Sequence, residues 1–274
     1  MPHDRAQFAN TEEDEAVVVV SRQAPSAYLS KHIVLSVPCH LRALASELTA
    51  TFKNERASGA VLDFRQDAAS FRRLNGRIND LLKAYSLAGS GDWRNYAAWN
   101  EHSYLRHLLW ATEDFEVMLL CWRSGQTSRV HTHANSHCWF AVLDGQVRET
   151  QYPPITVGPQ APGAGAAATG GVAVAELTPT QITDKTVGDV SYINDNIAMH
   201  SVGCSSRRDV LPADGGGVTA TMAAAAAEGE GDPGTLACTL HVYCPPIRRA
   251  KAVEGGKVTE CIPGFYSRHC ILAA

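Results

Sequence analysis

The chain lacks the sequence features of several common protein classes. No CxxC motif occurs among its eight cysteines, which argues against a zinc ribbon or a thioredoxin-type site. The N-terminal stretch is acidic and has no apolar core, so we expect neither a secretory signal nor a transit peptide. Its longest aliphatic run, Ala16 to Val20, is far too short to cross a bilayer. We therefore expect a cytoplasmic protein without a membrane partner, whose cysteines are mostly reduced.

The chain also has no excess of basic residues. Its 24 lysines and arginines stand against 28 aspartates and glutamates, for a formal net charge of -4. Nucleic acid is therefore not an expected partner. Hydrophobic residues make up 45% of the sequence and charged residues 19%, which is a globular balance with enough apolar material for a sizeable core.

Two helical segments precede a series of short strands. Apolar residues recur at helical spacing in residues 39–52 and 71–87, and a short helix is expected at 92–99.

The pattern then changes to short, turn-bounded, β-rich segments. Strands are predicted at 105–110, 115–122, 128–133, 138–143, 146–151, 187–193, 199–202 and 236–244. The Asp144-Gly145 pair predicts a hairpin. We expect a fold that is mainly β, with N-terminal helices and a small β-barrel.

Three stretches do not have the composition of a packed core. Residues 1–25 form an acidic segment that we expect to be a mobile arm. Residues 153–185 and 205–234 are rich in glycine, alanine and proline, and we expect disordered insertions there. The remaining sequence, within residues 26–270, is expected to form a single domain.

The segment from Gly125 to Gly145 carries the most informative spacing. It contains His131 and His133 at positions i and i+2, and Cys138 follows at the place where a metal-binding carboxylate would be expected in a barrel of this kind. Two histidines at this spacing on an extended strand point to the same face. Alone, such a pair is more often a surface feature. The flanking glycines and a third histidine downstream, His200, favour a metal site.

Two further strands alternate polar and apolar residues. The polar residues are Tyr104 and Arg106 in the first strand, and Thr239, His241 and Tyr243 in the second. Such alternation normally places the apolar set in the core and the polar set in water. In a barrel the interior can instead be a polar site. The simpler alternatives are a surface cation for Arg106, a packing aromatic for Tyr243 and a small buried hydrophobe for Cys138.

These motifs resemble the cysteine dioxygenase family of the cupin superfamily. The spacing from Gly125 to Gly145 resembles the first cupin motif, and the cysteine that replaces its usual glutamate is characteristic of that family. The spacing of Gly188, Asn194 and His200 resembles the second motif. The segments DWRNYAAWNEHSYLR, CWRSGQTSRVHTHANSHCWF, YINDNIAMHSV and LHVYCPP resemble the family in the same order. The similarity covers about residues 30–152 and 186–265.

The resemblance implies a cupin-type, jelly-roll-like barrel and a role for each matching residue. His131, His133 and His200 correspond to the ligands of Fe(2+). Arg106 corresponds to the residue that binds the substrate carboxylate, assisted by Tyr104.

The remaining matches concern a tyrosine beside the metal. Cys138 and Tyr243 correspond to a pair that forms a thioether crosslink, and His241 and Thr239 correspond to the residues that hold that tyrosine. The Cys244-Pro245 bond corresponds to a cis peptide bond in the family.

The implied activity is oxidation of L-cysteine by O2 to L-cysteine sulfinic acid, a step of cysteine catabolism towards taurine and hypotaurine or towards pyruvate and sulfate. Three neutral imidazoles leave the metal charge uncompensated, which favours a substrate that binds through sulfur. We expect a monomer. The alternatives are a dioxygenase for 3-mercaptopropionate or another thiol, a non-catalytic metal-binding cupin, and a zinc- or manganese-dependent isomerase. The last would require the absent glutamate.

Overall fold

The computed structural model describes residues 40–60, 67–154, 172–173, 177–204 and 235–270. The predicted acidic arm and most of both predicted insertions lie outside these residues. Neither of the two long helices in the described part has the combination of length and apolar character needed to span a membrane.

Helices open the described part of the chain, as predicted. Helix α1 spans Leu41–Ala57, helix α2 spans Ala68–Ala88, and a short 3-10 helix spans Asp92–Tyr96. Helix α2 begins where the Asp67 carboxylate accepts a hydrogen bond of 2.8 Å from the N–H of Ser70, and it ends at Gly89, whose φ of 66° is left-handed. Helix α1 begins slightly later than predicted and continues past residue 52, and α2 extends beyond both predicted bounds, because exposed terminal turns carry no apolar pattern.

The described residues form thirteen strands in two sheets. In chain order these are β1 Leu105–Ala111, β2 Glu116–Arg123, β3 Val130–His131, β4 His137–Asp144, β5 Gln146–Tyr152, β6 Val172–Ala173, β7 Gln181–Thr186, β8 Val190–Ile193, β9 Met199–Cys204, β10 Leu236–Cys244, β11 Ala250–Glu254, β12 Lys257–Cys261 and β13 Ser267–Arg268. The first sheet has the order β13-β1-β2-β10-β4-β8, and the second has the order β6-β12-β11-β3-β9-β5-β7. All ladders are antiparallel except that of β13 with β1.

The first sheet is buried on both faces. Its outer face packs against the helices, so that Leu119 and Leu240 share a cluster with Leu44 of α1. Its inner face packs against the second sheet, and Phe140 shares a cluster there with Val202. Side chains alternate along a strand, so the polar residues of β10 face inward while its apolar ones face the helices. The predicted fold class and the predicted polar interior are confirmed, although the strands form two sheets and not one closed barrel.

The turn at Asp144-Gly145 is present, but it does not form the predicted hairpin. Strand β4 pairs with β10 and β8 in the first sheet, whereas β5 pairs with β7 and β9 in the second. Gly145 has a φ of 66°, and a Cβ atom there would lie 2.2 Å from the carbonyl oxygen of Leu236. The turn therefore carries the chain from one sheet to the other. An Asp-Gly pair predicts that the chain turns, but it does not predict which strands pair with each other.

The first predicted insertion ends earlier than expected. It was placed at 153–185, but Gln181–Thr186 forms β7, which pairs with β5 along its whole length. Strand β7 lies at a sheet edge and is mostly exposed, so it lacks the alternating apolar pattern from which strands are predicted.

Candidate metal centre

Three histidines converge between the sheets. His131 in β3 is the direct cross-strand partner of His200 in β9. The ring centroids of His131 and His133 are 5.1 Å apart, those of His131 and His200 are 4.9 Å apart, and those of His133 and His200 are 4.7 Å apart. One ring nitrogen from each histidine lies within 4.8 Å of the other two. The sequence prediction that these three residues come together is confirmed.

His133 reaches this cluster from a loop. The strand predicted at 128–133 ends at His131, because the chain turns at Ala134 and Asn135, whose φ values are 52° and 65°. The Asp195 carboxylate fixes this turn by accepting hydrogen bonds from the backbone N–H groups of His133 (2.6 Å) and Asn135 (2.8 Å). The predicted strand therefore ends before His133, although the rings of His131 and His133 meet as predicted.

Each of the three histidines has a ring nitrogen available to bind a metal ion. Nδ1 of His131 lies 2.8 Å from the carbonyl oxygen of Arg129, and Nδ1 of His200 lies 2.9 Å from Oε1 of Glu149. Both partners are acceptors, so Nδ1 carries the proton and Nε2 keeps its lone pair. His133 is buried, and neither of its ring nitrogens has a hydrogen-bond partner among the described residues. A buried polar group without a partner is unfavourable unless something binds it, and three imidazole nitrogens suit a divalent transition metal.

The surroundings keep these imidazoles neutral. Burial, assisted by the neighbouring His200, lowers the pKa of His131 to about 3. The same two causes hold the pKa of His133 well below its ordinary value. A neutral ring can offer its lone pair to a metal without first losing a proton.

A buried carboxylate behind His200 was missed by the sequence analysis. Glu149 in β5 accepts hydrogen bonds from Nδ1 of His200 and from the Ser191 hydroxyl at 2.6 Å, and Nζ of Lys185 lies 3.5 Å away. Burial raises the pKa of Glu149, but the contacts with His200, Ser191 and Lys185 outweigh it and bring the pKa below its ordinary value. Val147 and Glu149 lie two positions apart on the buried face of β5. This spacing of two in the sequence could have identified Glu149 as a buried residue.

Replacing Glu149 with glutamine is expected to weaken metal binding about 10- to 100-fold. The uncharged amide is a weaker hydrogen-bond acceptor for Nδ1 of His200 than the carboxylate is. Competition with a chromogenic chelator would measure the affinity. Glu260→Gln is the matched control, since Glu260 is an exposed residue that pairs with Arg249. Equal affinity of the Glu149 variant and the wild type would show that the carboxylate does not support the metal ligand.

A cavity of about 330 Å³ opens beside the histidines. Six of the nine predicted site residues line it, namely Tyr104, Arg106, His131, His200, His241 and Tyr243. His133, Cys138 and Thr239 lie behind its wall and are buried. Residues 261–266, from the last residue of β12 onward, also line the cavity.

Arg106 offers unused hydrogen-bond donors to this cavity. Its Nη2 lies 3.0 Å from Sδ of Met118, and its Nε is buried without a partner among the described residues. Tyr104, which directly precedes β1, stacks on Trp122, with ring centroids 4.3 Å apart. A guanidinium group with free donors in a cavity suits a planar anion such as a carboxylate.

A chain of hydrogen bonds supports the phenol of Tyr243. The Tyr243 hydroxyl lies 3.2 Å from Nδ1 of His241, and Nε2 of His241 lies 2.9 Å from Oγ1 of Thr239. The same Thr239 oxygen accepts a hydrogen bond of 2.9 Å from Nε1 of Trp122. Trp122 was not predicted as a site residue, because its indole reaches Thr239 only through the pairing of β2 with β10.

Cys138 lies directly opposite Tyr243 in the ladder between β4 and β10. Opposed residues in antiparallel strands have Cβ atoms about 4.5–5.5 Å apart, so the cysteine sulfur can reach the tyrosine ring. Burial raises the pKa of Cys138 and of Tyr243 well above their ordinary values. The Cys244-Pro245 peptide bond is cis, as the sequence resemblance implied.

Comparison with known proteins points to one family. A family model described as cysteine dioxygenase type I matches residues 64–210. Cysteine dioxygenase type 1 of Danio rerio is 33% identical over 76 residues, which are 27% of this chain and 37% of that protein. The enzyme of the same name from Homo sapiens is also 33% identical over 76 residues, covering 27% of this chain and 38% of that protein. The matched part therefore spans less than two fifths of the length of these curated relatives.

Solved structures give weaker similarities. A protein from Thermus thermophilus is 15% identical with a TM-score of 0.35, covering 57% of this chain and 95% of that chain. A cupin superfamily protein from Desulfitobacterium hafniense is 9% identical with a TM-score of 0.31, covering 54% of this chain and 83% of that chain. TM-scores this low add nothing to what the sequence match shows.

Proposed function

Because the chain belongs to the cysteine dioxygenase type I family, we propose that it is a thiol dioxygenase that converts L-cysteine and O2 to L-cysteine sulfinic acid. The observation that carries this proposal is the three-histidine cluster beside Arg106. His131 and His200 line the same cavity as the Arg106 guanidinium, so a metal site and an anion site face one small space.

The proposed metal is Fe(2+), held by His131, His133 and His200. When bound, the ion would supply open coordination positions for the sulfur and amine of the substrate and for dioxygen. Three neutral nitrogens bring no negative charge to the site, which favours a substrate that supplies an anion of its own, as a thiolate does. Imidazole also suits zinc and nickel, so the choice of iron rests on the family and on the proposed reaction.

Arg106 is proposed to select and orient the substrate. Its fork-shaped guanidinium can donate two parallel hydrogen bonds to the carboxylate of L-cysteine. Tyr104 lies two residues before Arg106, just ahead of β1, and its stacking on Trp122 holds the phenol at the cavity wall. A carboxylate held in this way fixes the direction in which the substrate sulfur points, which lowers the entropy lost on reaching the reactive arrangement.

Tyr243 is proposed to donate a hydrogen bond towards the reacting oxygen atoms. If the Thr239 hydroxyl donates to Nε2 of His241, then Nδ1 of His241 carries the proton and donates to the Tyr243 oxygen. The Tyr243 O–H is then free to donate into the cavity. A thioether bond to Cys138 would fix the ring in place, so that little reorganisation is needed during reaction.

The chain is proposed to act as a monomer in the cytoplasm. All the proposed site residues come from one chain, and no disulfide joins the seven cysteines in the part of the chain that the structure describes. Both observations are compatible with a single-chain enzyme in a reducing compartment.

Oxygen uptake by the iron-loaded protein tests the proposed function. L-cysteine, D-cysteine, cysteamine and 3-mercaptopropionate would be compared side by side. We expect uptake with L-cysteine to be the fastest, with one O2 consumed for each sulfinate formed. Faster uptake with 3-mercaptopropionate would assign the chain to the alternative substrate, and no uptake with any thiol would contradict the dioxygenase proposal.

Replacing Cys138 with serine is expected to give a slower but active enzyme that binds iron normally, because Cys138 is proposed to hold Tyr243 and not the metal. Intact-protein mass spectrometry would show whether the wild type lacks the two hydrogens that a thioether removes, and metal analysis would measure iron. Loss of bound iron in the variant would show that the role assigned to Cys138 is wrong.

A further inference from the structure

Two cysteines on the outer face of the first sheet lie close enough to react with each other. Cys121 in β2 and Cys238 in β10 are direct partners in an antiparallel ladder, and their Sγ atoms are 3.6 Å apart. Opposed residues in such a ladder have Cα atoms about 4.5–5.5 Å apart. Disulfides span Cα distances of about 4.4–6.8 Å. The backbone spacing therefore already suits a disulfide, although the thiols are reduced in the structure.

The two thiols differ in reactivity. The hydrogen bond with Cys238 lowers the pKa of Cys121 to about 6 against the opposing effect of burial, and the nearby His107 imidazole and the Ala98 N–H act in the same direction. Burial, together with Cys121, raises the pKa of Cys238 well above its ordinary value. A thiol of lowered pKa beside a thiol of raised pKa is the arrangement of an attacking and a resolving cysteine. By contrast, burial raises the pKa of Cys244 to about 12.

We propose that Cys121 and Cys238 are a redox-sensitive pair that hydrogen peroxide converts into a disulfide. The Cys121 thiolate attacks the peroxide, an S–O bond forms and the O–O bond breaks, and the released hydroxide takes up a proton to become water. The sulfur of Cys238 then attacks the resulting sulfenic acid, an S–S bond forms and a second water leaves. Two thiols are oxidised and one peroxide is reduced, and a small dithiol reverses the change. Both side chains are fully buried, which restricts the oxidant to one of about the size of water.

The pair adjoins the hydrogen-bond chain that ends at Tyr243. Cys121 directly precedes Trp122 and Cys238 directly precedes Thr239, and the side chains of these neighbours are joined by a hydrogen bond of 2.9 Å. A disulfide would shorten the sulfur separation from 3.6 Å to about 2.05 Å, so both cysteine side chains must move beside Trp122 and Thr239. Any effect of the disulfide on catalysis through Tyr243 rests on the proposed function, whereas the formation of the disulfide does not depend on it.

The test is thiol mapping of the full chain before and after treatment with hydrogen peroxide. The protein is denatured, alkylated and digested without reduction, and its peptides are identified by mass spectrometry. We expect the peptides of Cys121 and Cys238 to be recovered joined and lighter by two hydrogens, and to separate again after dithiothreitol. Recovery of both as alkylated thiols, at a peroxide dose that oxidises the exposed Cys270, would overturn the proposal.

Two variants separate the roles of the cysteines. In Cys238→Ser, the resolving thiol is absent but a hydroxyl donor remains beside Cys121, so dimedone present during denaturation should label a sulfenic acid on Cys121 after peroxide treatment. In the matched control Cys244→Ala, a buried cysteine is replaced outside the pair, and the disulfide should form as in the wild type. Dimedone labelling of Cys238 in a Cys121→Ser variant, and none of Cys121 in Cys238→Ser, would contradict the assigned order of attack. Since these readouts need no catalysis, they are independent of the outcome of the oxygen-uptake test.

Discussion

Replacing His133 with alanine is expected to reduce bound metal from about one ion per chain to nearly none and to abolish oxygen uptake. His133 contributes one of three converging imidazoles, and the loss of one leaves too few ligands for a stable site. Its ring is buried and neither nitrogen has a hydrogen-bond partner among the described residues, which suits a metal ligand. Metal content after reconstitution and removal of free ion, measured by elemental analysis, checks the first expectation.

Thermal unfolding distinguishes loss of the ligand from damage to the fold. A metal that binds only the folded state raises the melting temperature, so the wild type should gain stability when iron is added and His133→Ala should not. Without metal, the variant has a cavity in place of a buried ring and should unfold at or somewhat below the wild-type temperature, so the shift on adding iron is the quantity to compare. The control is His102→Ala, an exposed histidine outside the cavity, which should bind metal normally. Full metal occupancy of His133→Ala would contradict the assigned ligand set.

Replacing Arg106 with alanine is expected to raise the KM for L-cysteine by about 30-fold to several thousand-fold. Removing one partner of a buried charged pair weakens binding by about 2–5 kcal/mol, and about 1.4 kcal/mol corresponds to a factor of ten. Cysteamine has the thiol and amine of cysteine but no carboxylate, so its kinetics should change little. The measurement is kcat and KM for both substrates, and the preference for L-cysteine over cysteamine should collapse in the variant.

The matched control for this variant is Arg129→Ala. Arg129 also lines the cavity, but its side chain is about half exposed and pairs with Glu254 at 2.9 Å. Its replacement should change the KM for L-cysteine only slightly, because exposed ion pairs contribute little to binding. An unchanged KM in Arg106→Ala would show that the carboxylate binds elsewhere, and an equal loss with cysteamine would indicate general damage to the site.

The sequence was sufficient to predict the parts of the site that depend on local periodicity. The polar residues Thr239, His241 and Tyr243 of β10 share one face because strands alternate, and this much follows from the sequence alone. The convergence of His131 with His200 was predicted from the resemblance of two motifs. The structure then explains this convergence by the direct pairing of β3 with β9.

The features that the sequence did not reveal depend on contacts between distant segments. Glu149 supports His200 only because β5 pairs with β9, and Asp195 fixes the His133 loop from 62 residues away. The Asp144-Gly145 turn separates two sheets, which no property of the turn itself could indicate. Cys121 and Cys238 are likewise 117 residues apart and meet only when β2 pairs with β10. Pairing between distant strands is a property of the whole fold.

The most direct test of the central claim is the fate of isotopically labelled dioxygen. The iron-loaded protein would be incubated with L-cysteine under labelled O2, and the product would be identified by mass spectrometry. A metal and a substrate carboxylate that share one cavity predict L-cysteine sulfinic acid in which both sulfinate oxygens carry the label. Cystine as the sole product, or a sulfinate whose oxygens come from water, would contradict it.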